Sequence, residues 1–242
     1  MEREVSTIEE RKNPLKFGLN AGVPIAIGYM PIAITYGFIA KATGLSLTET
    51  VLMSAIVFAG ASQYMALDMI AKQIGTFEII ITTLIVNIRH FLMSASLNEK
   101  VEKDNVLKKA IYAFGITDET FSVAAVQRGK LSTGYMIGLN FISYISWVGF
   151  SAVGFIVGAG LPDIFQEGMS IALYAMFIGL LVPSIKGSRK VLYLAVVAAA
   201  FNALFVFYNI MSIGWSIVLS TMISSIFVEF IYWTRREGAS NG

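Results

Sequence analysis

The sequence predicts an all-α polytopic membrane protein with seven or eight transmembrane helices and an internal two-fold repeat. Three observations carry this. Of 242 residues, 56% are hydrophobic and only 14% charged, with a mean hydropathy of +0.69, where a soluble domain exposes more charge. Seven apolar runs are long enough to cross a bilayer, each bounded by Gly, Pro, Asn or charge clusters. Glycine and polar motifs also recur at an almost constant offset.

The chain opens on a polar segment, 1–16, that alternates acid and base. It has no basic n-region and no compact apolar stretch ending in a small-residue cleavage site, so no cleaved signal peptide is expected. The first run, 17–40, contains Pro24 and Pro31 with Gly22 and Gly28. Proline removes a backbone donor and clashes with the preceding turn, so this helix is expected to be kinked or broken at these two residues. Such breaks either line a cavity or only bend the helix.

The second run, 50–70, carries Val57-Phe58-Ala59-Gly60-Ala61-Ser62-Gln63. Its consecutive small residues allow tight helix packing, or an unwound turn whose amides and carbonyls meet a solute. Gly60, Ser62 and Gln63 are therefore candidate pathway residues, and an amide in lipid needs a hydrogen-bond partner. In the third run, Phe77 to Leu97, the tetrapeptide Asn87-Ile88-Arg89-His90 is the conspicuous polar interruption. Thr83, Asn87, His90 and Ser94 follow i, i+4, i+7, i+11 spacing and form one polar stripe, with Arg89 on an adjoining face. His90 is suited to carrying a coupling proton. Arg89 is suited to fixing a carboxylate, whether on a solute or on Asp118 or Glu119.

An eighth candidate helix, 107–127, holds Thr117-Asp118-Glu119-Thr120 at its middle. It either spans, with Asp118 and Glu119 as carboxylates for an amine or a proton, or lies along the interface with both solvated. Runs at 132–158, 169–185, 190–208 and 212–234 follow, and a polar tail, 235–242, ends the chain.

The repeat pairs Gly18-xxx-Gly22 with Gly134-xxx-Gly138, Gly37-Phe38-Ile39 with Gly154-Phe155-Ile156, and Gly44-Leu45 with Gly160-Leu161. It also pairs Met53-Ser54 with Met169-Ser170 and sets Asn87 opposite Asn202. The halves are 17–130, with three spans and the candidate fourth, and 131–234, with four. Internal repeats are a common way to build a midplane transport site. The distribution of Lys and Arg fits seven or eight spans equally well and puts the C-terminus in the cytoplasm in both. Matching halves favour eight spans, similarly oriented, with the 98–109 loop outside.

Several chemistries are excluded. There is no HExxH, Walker A, GxSxG or GxGxxG pattern, and one histidine with no cysteine leaves no metal set. No enzyme activity and no cofactor are expected. A net charge of +2, spread over short loops, offers no nucleic-acid footprint. Any pumping draws on an ion gradient.

A Pro- and Gly-rich first span, then Phe58–Gln63 (FAGASQ), Asn87–His90 (NIRH) and Gly115–Glu119 (GITDE), in this order, resemble the AzlC family over about residues 15–235. The resemblance implies a large subunit of a branched-chain amino acid exporter in the bacterial inner membrane. It further implies export of hydrophobic amino acids and a separately encoded small AzlD-type membrane subunit. Proton antiport is the drive expected of it here. The competing reading is a non-transporting membrane scaffold or assembly subunit whose polar stripe binds only its partner.

Overall fold

The computed structural model describes residues 13–127, 129–158, 178, 181–182, 185–186 and 188–240. The expected run 169–185 and the repeat positions Gly160, Leu161, Met169 and Ser170 lie almost wholly or wholly outside these residues, as does segment 1–12. Among the described residues the named elements are all helices, and five of them are long and apolar enough to cross a membrane. The chain forms two compact units. Of the described residues, 13–67 and 86–158 belong to the first, and 68–85 and 178–240 to the second.

In the first unit, α1 (Pro14–Ala42) starts at Asn13, whose side chain accepts from the Lys16 amide at 3.2 Å. It runs unbroken through Pro24 and Pro31, so the break expected at these prolines is absent. Each proline deletes a single ladder bond, and the packed turns around it hold the rest. Against α1 lies α7 (Thr133–Val157), started by the Ser132 cap. A Cβ added to Gly18 would sit 2.1 Å from the Tyr135 carbonyl oxygen, and one on Gly37 2.0 Å from that of Ser151. Reciprocally, Gly138 would meet the Leu15 oxygen at 2.2 Å and Gly154 the Ile34 oxygen at 2.0 Å. Contact positions rise together along both helices, so they run parallel. Backbone-to-backbone approach of this kind is how helices associate where burial in lipid provides no hydrophobic drive.

The second apolar run does not span. Its first arm, α2 (Leu47–Val57), is launched by a Ser46/Glu49 capping box at the C-terminal end of α1. Early in α2, the Thr50 carbonyl accepts from Tyr36 Oη at 3.4 Å. At its end Phe58 adopts φ +42° and lies against Tyr29, the middle of α1, with ring centroids 6.5 Å apart. The chain then turns back as α3 (Gly60–Ala71). Tyr64 Oη donates to the Ile32 carbonyl at 2.7 Å, and its ring lies 5.9 Å from that of Tyr36. Gln63 Nε2 donates to Ser54 Oγ at 3.1 Å. In a continuous helix these two residues would be separated by about 13.5 Å of rise, too far for direct contact. The run reaches the middle of α1 and turns back.

The candidate helix 107–127 does the same from the opposite end. The half of α4 (Thr76–Asn98) in this unit ends beside the start of α7, where backbone bonds of 2.9 Å join Glu102 to Leu131 and Leu131 to Lys100. From there α5 (Val106–Phe114) rises until Asn140 of α7 caps the Tyr112 carbonyl at 2.7 Å. The chain breaks at Gly115–Thr117 and returns as α6 (Asp118–Val126), whose Ala125 carbonyl accepts from Lys100 Nζ at 2.6 Å. This segment neither spans nor lies flat. Consequently the 98–109 loop sits at the same end as the start of α1, whereas the eight-span arrangement puts them on opposite faces. Hydropathy reads the length of an apolar run, not its direction.

The second unit contains α8 (Arg189–Phe207) packed on α9 (Ile213–Ser240). Lys190 pairs with Glu229, and Ser212 donates to Glu78. At Gly214 a Cβ would lie 2.6 Å from both Glu78 Oε1 and Thr82 Oγ1, so only glycine lets this helix start approach α4.

Candidate functional site

The tips of the two hairpins meet at the middle of α1 and α7, inside the first unit. Phe58 of one tip and Phe114 of the other have centroids 6.4 Å apart, and Tyr144 touches both at 5.1 and 6.0 Å. Tyr29 packs edge-on against Trp147 at 5.2 Å. The left-handed backbone of Phe58 costs about 1–2 kcal/mol for a residue with a Cβ, and these ring contacts hold it.

The FAGASQ tip is pinned by Gln63, which is fully buried. Its Oε1 accepts from Trp147 Nε1 at 3.0 Å and from the Ala59 amide at 3.3 Å, while its Nε2 donates to Ser54. Ser54 in turn donates to Ser151 Oγ at 2.8 Å. The Trp147 ring covers Gly60, where a Cβ would come within 2.7 Å of it. Ser62 Oγ lies 3.0 Å from both the Ala59 carbonyl and Asn87 Oδ1, which ties the tip to α4. The first intrahelical bond of α3 is Gln63 N to Ala59 O, so the amides of Gly60, Ala61 and Ser62 have no helical carbonyl to meet. They form the positive end of a half-helix at mid-depth.

The GITDE tip has the opposite character. A Thr117/Thr120 capping box closes the start of α6, and its first turn carries Asp118 and Glu119. Arg89 Nη1 pairs with Asp118 at 3.0 Å, while Arg89 Nε is buried with no hydrogen-bond partner. Tyr29 Oη lies 2.6 Å from Thr117 Oγ1 and donates to Glu119 Oε2 at 2.7 Å. Gly115 is obligatory for close approach, since a Cβ there would fall 2.5 Å from that of Asn140.

Of the residues expected from sequence, Gly60, Ser62, Gln63, Asn87, Arg89, Asp118 and Glu119 are thus at or beside the tips. His90 is half-buried on α4, one residue from Arg89. Thr83 and Asn202 belong to the second unit. Thr83 bonds back to the Ile79 carbonyl of its own helix at 2.8 Å, and Asn202 Oδ1 is buried without a partner. Sequence reasoning passed over Tyr29, Trp147 and Tyr144. A usable signal existed for Trp147: an indole donor in one apolar run and the Gln63 amide in another each require a partner.

Opposed re-entrant helix hairpins packed on a parallel pair of long apolar helices define a helical integral membrane protein. The chain matches the family described as "AzlC protein" over residues 24–161. It is 32% identical over 202 residues to an uncharacterized membrane protein of Archaeoglobus fulgidus, covering 81% of this chain and 87% of that one. It is also 32% identical over 196 residues to the inner membrane protein YgaZ of Escherichia coli, covering 77% and 78%. The Bacillus subtilis protein named "Branched-chain amino acid transport protein AzlC" is 28% identical over 159 residues, covering 64% of this chain and 62% of that one. No solved structure matches. The protein belongs to the AzlC family.

Proposed function

We propose that this chain is the transporting subunit of an exporter for branched-chain and other hydrophobic amino acids. The observation that carries the reading is the pairing of opposite polarities at the hairpin tips. Free amides of Gly60–Ser62 at a half-helix N-terminus suit a carboxylate, and Glu119 on the facing tip suits an ammonium. A zwitterion matches both at once, and Phe58, Phe114 and Tyr144 suit an aliphatic side chain. The name of the Bacillus subtilis relative supports the same substrate class. In this reading Arg89 holds α4 to the α6 tip through Asp118 and presents its unpartnered Nε to the site.

The end of the first unit that carries Lys16, Lys100, Lys103, Lys108, Lys109 and Lys130, against Lys41 at the other, is the cytoplasmic one by the positive-inside rule. The C-terminus, with Arg235 and Arg236, is cytoplasmic by the same rule. The membrane is the bacterial inner membrane, the drive is the proton gradient, and a small AzlD-type subunit completes the exporter. To test this, the chain is co-expressed with its small partner in a strain lacking its own exporters, and intracellular leucine, isoleucine and valine are measured after a dipeptide pulse. Export lowers all three. Retention equal to the empty strain refutes the proposal.

A further inference from the structure

Glu119 differs from the other ionisable groups at the tips. Arg89 and Asp118 neutralise one another. Glu119 meets no cation within ion-pair distance among the described residues and is held instead by the Tyr29 hydroxyl. Tyr29 is only 5% exposed, and Thr117 holds its hydroxyl from the other side. A phenol fixed twice defines one position for the carboxylate it serves. The groups that interact with Glu119 are Tyr29 from α1 and His90 from α4, while the adjacent Asp118 of α6 is taken by Arg89.

Two ligands suit a carboxylate held in this way, a proton or an ammonium group, and they compete for the same oxygens. On the reading of this chain as an amino-acid exporter, we propose that Glu119 is the coupling carboxylate, where a proton and the solute's ammonium exclude one another, with Tyr29 as its positioning residue. Facing the cytoplasm, an incoming ammonium takes the carboxylate as the proton leaves to water on that side. Facing outward, a proton from the external water takes the carboxylate as the ammonium departs. One proton enters for each solute that leaves. The Arg89–Asp118 pair stays intact throughout and takes no part in this exchange.

The test uses everted vesicles from cells expressing the full chain with its small membrane partner. Labelled leucine is followed in two modes: accumulation driven by an imposed pH gradient, and leucine–leucine exchange without one. Wild type is expected to show both, with exchange that weakens in acid as protons compete. Glu119→Gln loses the gradient-driven mode, and whatever exchange remains at raised leucine concentration no longer varies with pH. Tyr29→Phe and Glu119→Asp keep transport with a displaced pH profile. Gradient-driven accumulation in Glu119→Gln overturns the proposal. So does an unaltered pH profile in both Tyr29→Phe and Glu119→Asp, which decides the matter where Glu119→Gln does not reach the membrane. Loss of the gradient-driven mode in His90→Gln, with Glu119→Gln intact, moves the role to His90. A wild type that moves no leucine in either mode refutes the exporter reading itself, and wild-type exchange indifferent to the gradient refutes only the coupling role.

Discussion

Replacing Gln63 with leucine keeps most of the side chain's volume and removes its amide. Two buried donors then lose their acceptor, Trp147 Nε1 and the Ala59 amide, while Ser54 keeps its bond to Ser151. An orphaned buried donor costs about 1–3 kcal/mol, and couplings measured between membrane helices fall at or below the low end of that range. Gln63→Leu is therefore expected to destabilise the protein by roughly 1–2 kcal/mol. Trp147→Phe alone leaves Gln63 with Ala59 still donating and costs less. In the double variant no indole donor remains to be orphaned, so its loss falls short of the sum by about 1 kcal/mol. Reversible denaturation in mixed micelles gives the stabilities, and leucine flux in vesicles reports whether the tip still works. If Gln63→Leu lies within about 0.5 kcal/mol of wild type, or the cycle is strictly additive, the amide does not pin the tip.

Gly37→Val puts a Cβ 2.0 Å from the Ser151 oxygen and forces α1 from α7, so a loss of about 1–3 kcal/mol is expected in the same denaturation assay; Gly28→Ala, where nothing lies within 4 Å, is the matched control and costs little. The chain has no cysteine, so single cysteines report sidedness cleanly: Lys16→Cys and Glu102→Cys should react with a membrane-impermeant maleimide from one face and Thr48→Cys from the other. Opposite faces for Lys16 and Glu102 would refute the hairpin topology. At the interface, the Asp104 carboxyl is lowered to about 2 by the Thr133 hydroxyl, the Asn105 amide and Lys108. Because the folded value is depressed, its contribution is present above the usual carboxylate range and is lost as pH falls toward 2, so the Asp104 carboxyl carbon shift in NMR should still report the ionised form at pH 4 and titrate only near that limit.

Much of the geometry of the candidate site was legible in the residues. Polar side chains in apolar runs must find partners, and Gln63, Asn87, Arg89, Asp118 and Glu119 did so at the tips. The small residues at 59–62 marked the turn of one hairpin, as Gly115 marked the other. At Pro24 and Pro31 the helix continues without a break, because a proline's local cost is absorbed when the flanking turns are packed. Thr83 shared a helical stripe with Asn87, yet its hydroxyl is satisfied by its own backbone, an option open to any threonine in a helix. Tyr29 could not be singled out in advance, since nothing local distinguishes a tyrosine that orients a carboxylate from one that fills space.

Composition and run length by themselves determined that this is a helical membrane protein, because backbone polar groups in lipid must be satisfied within each segment. Motif order pointed to the family. Tertiary structure alone decided that two of the apolar runs turn back at mid-depth. Each half-hairpin is helical and largely apolar between its polar ends, so it has the local character of a crossing segment. Its direction is set by contacts with distant residues, Tyr64 with Ile32 for one and Lys100 with Ala125 for the other.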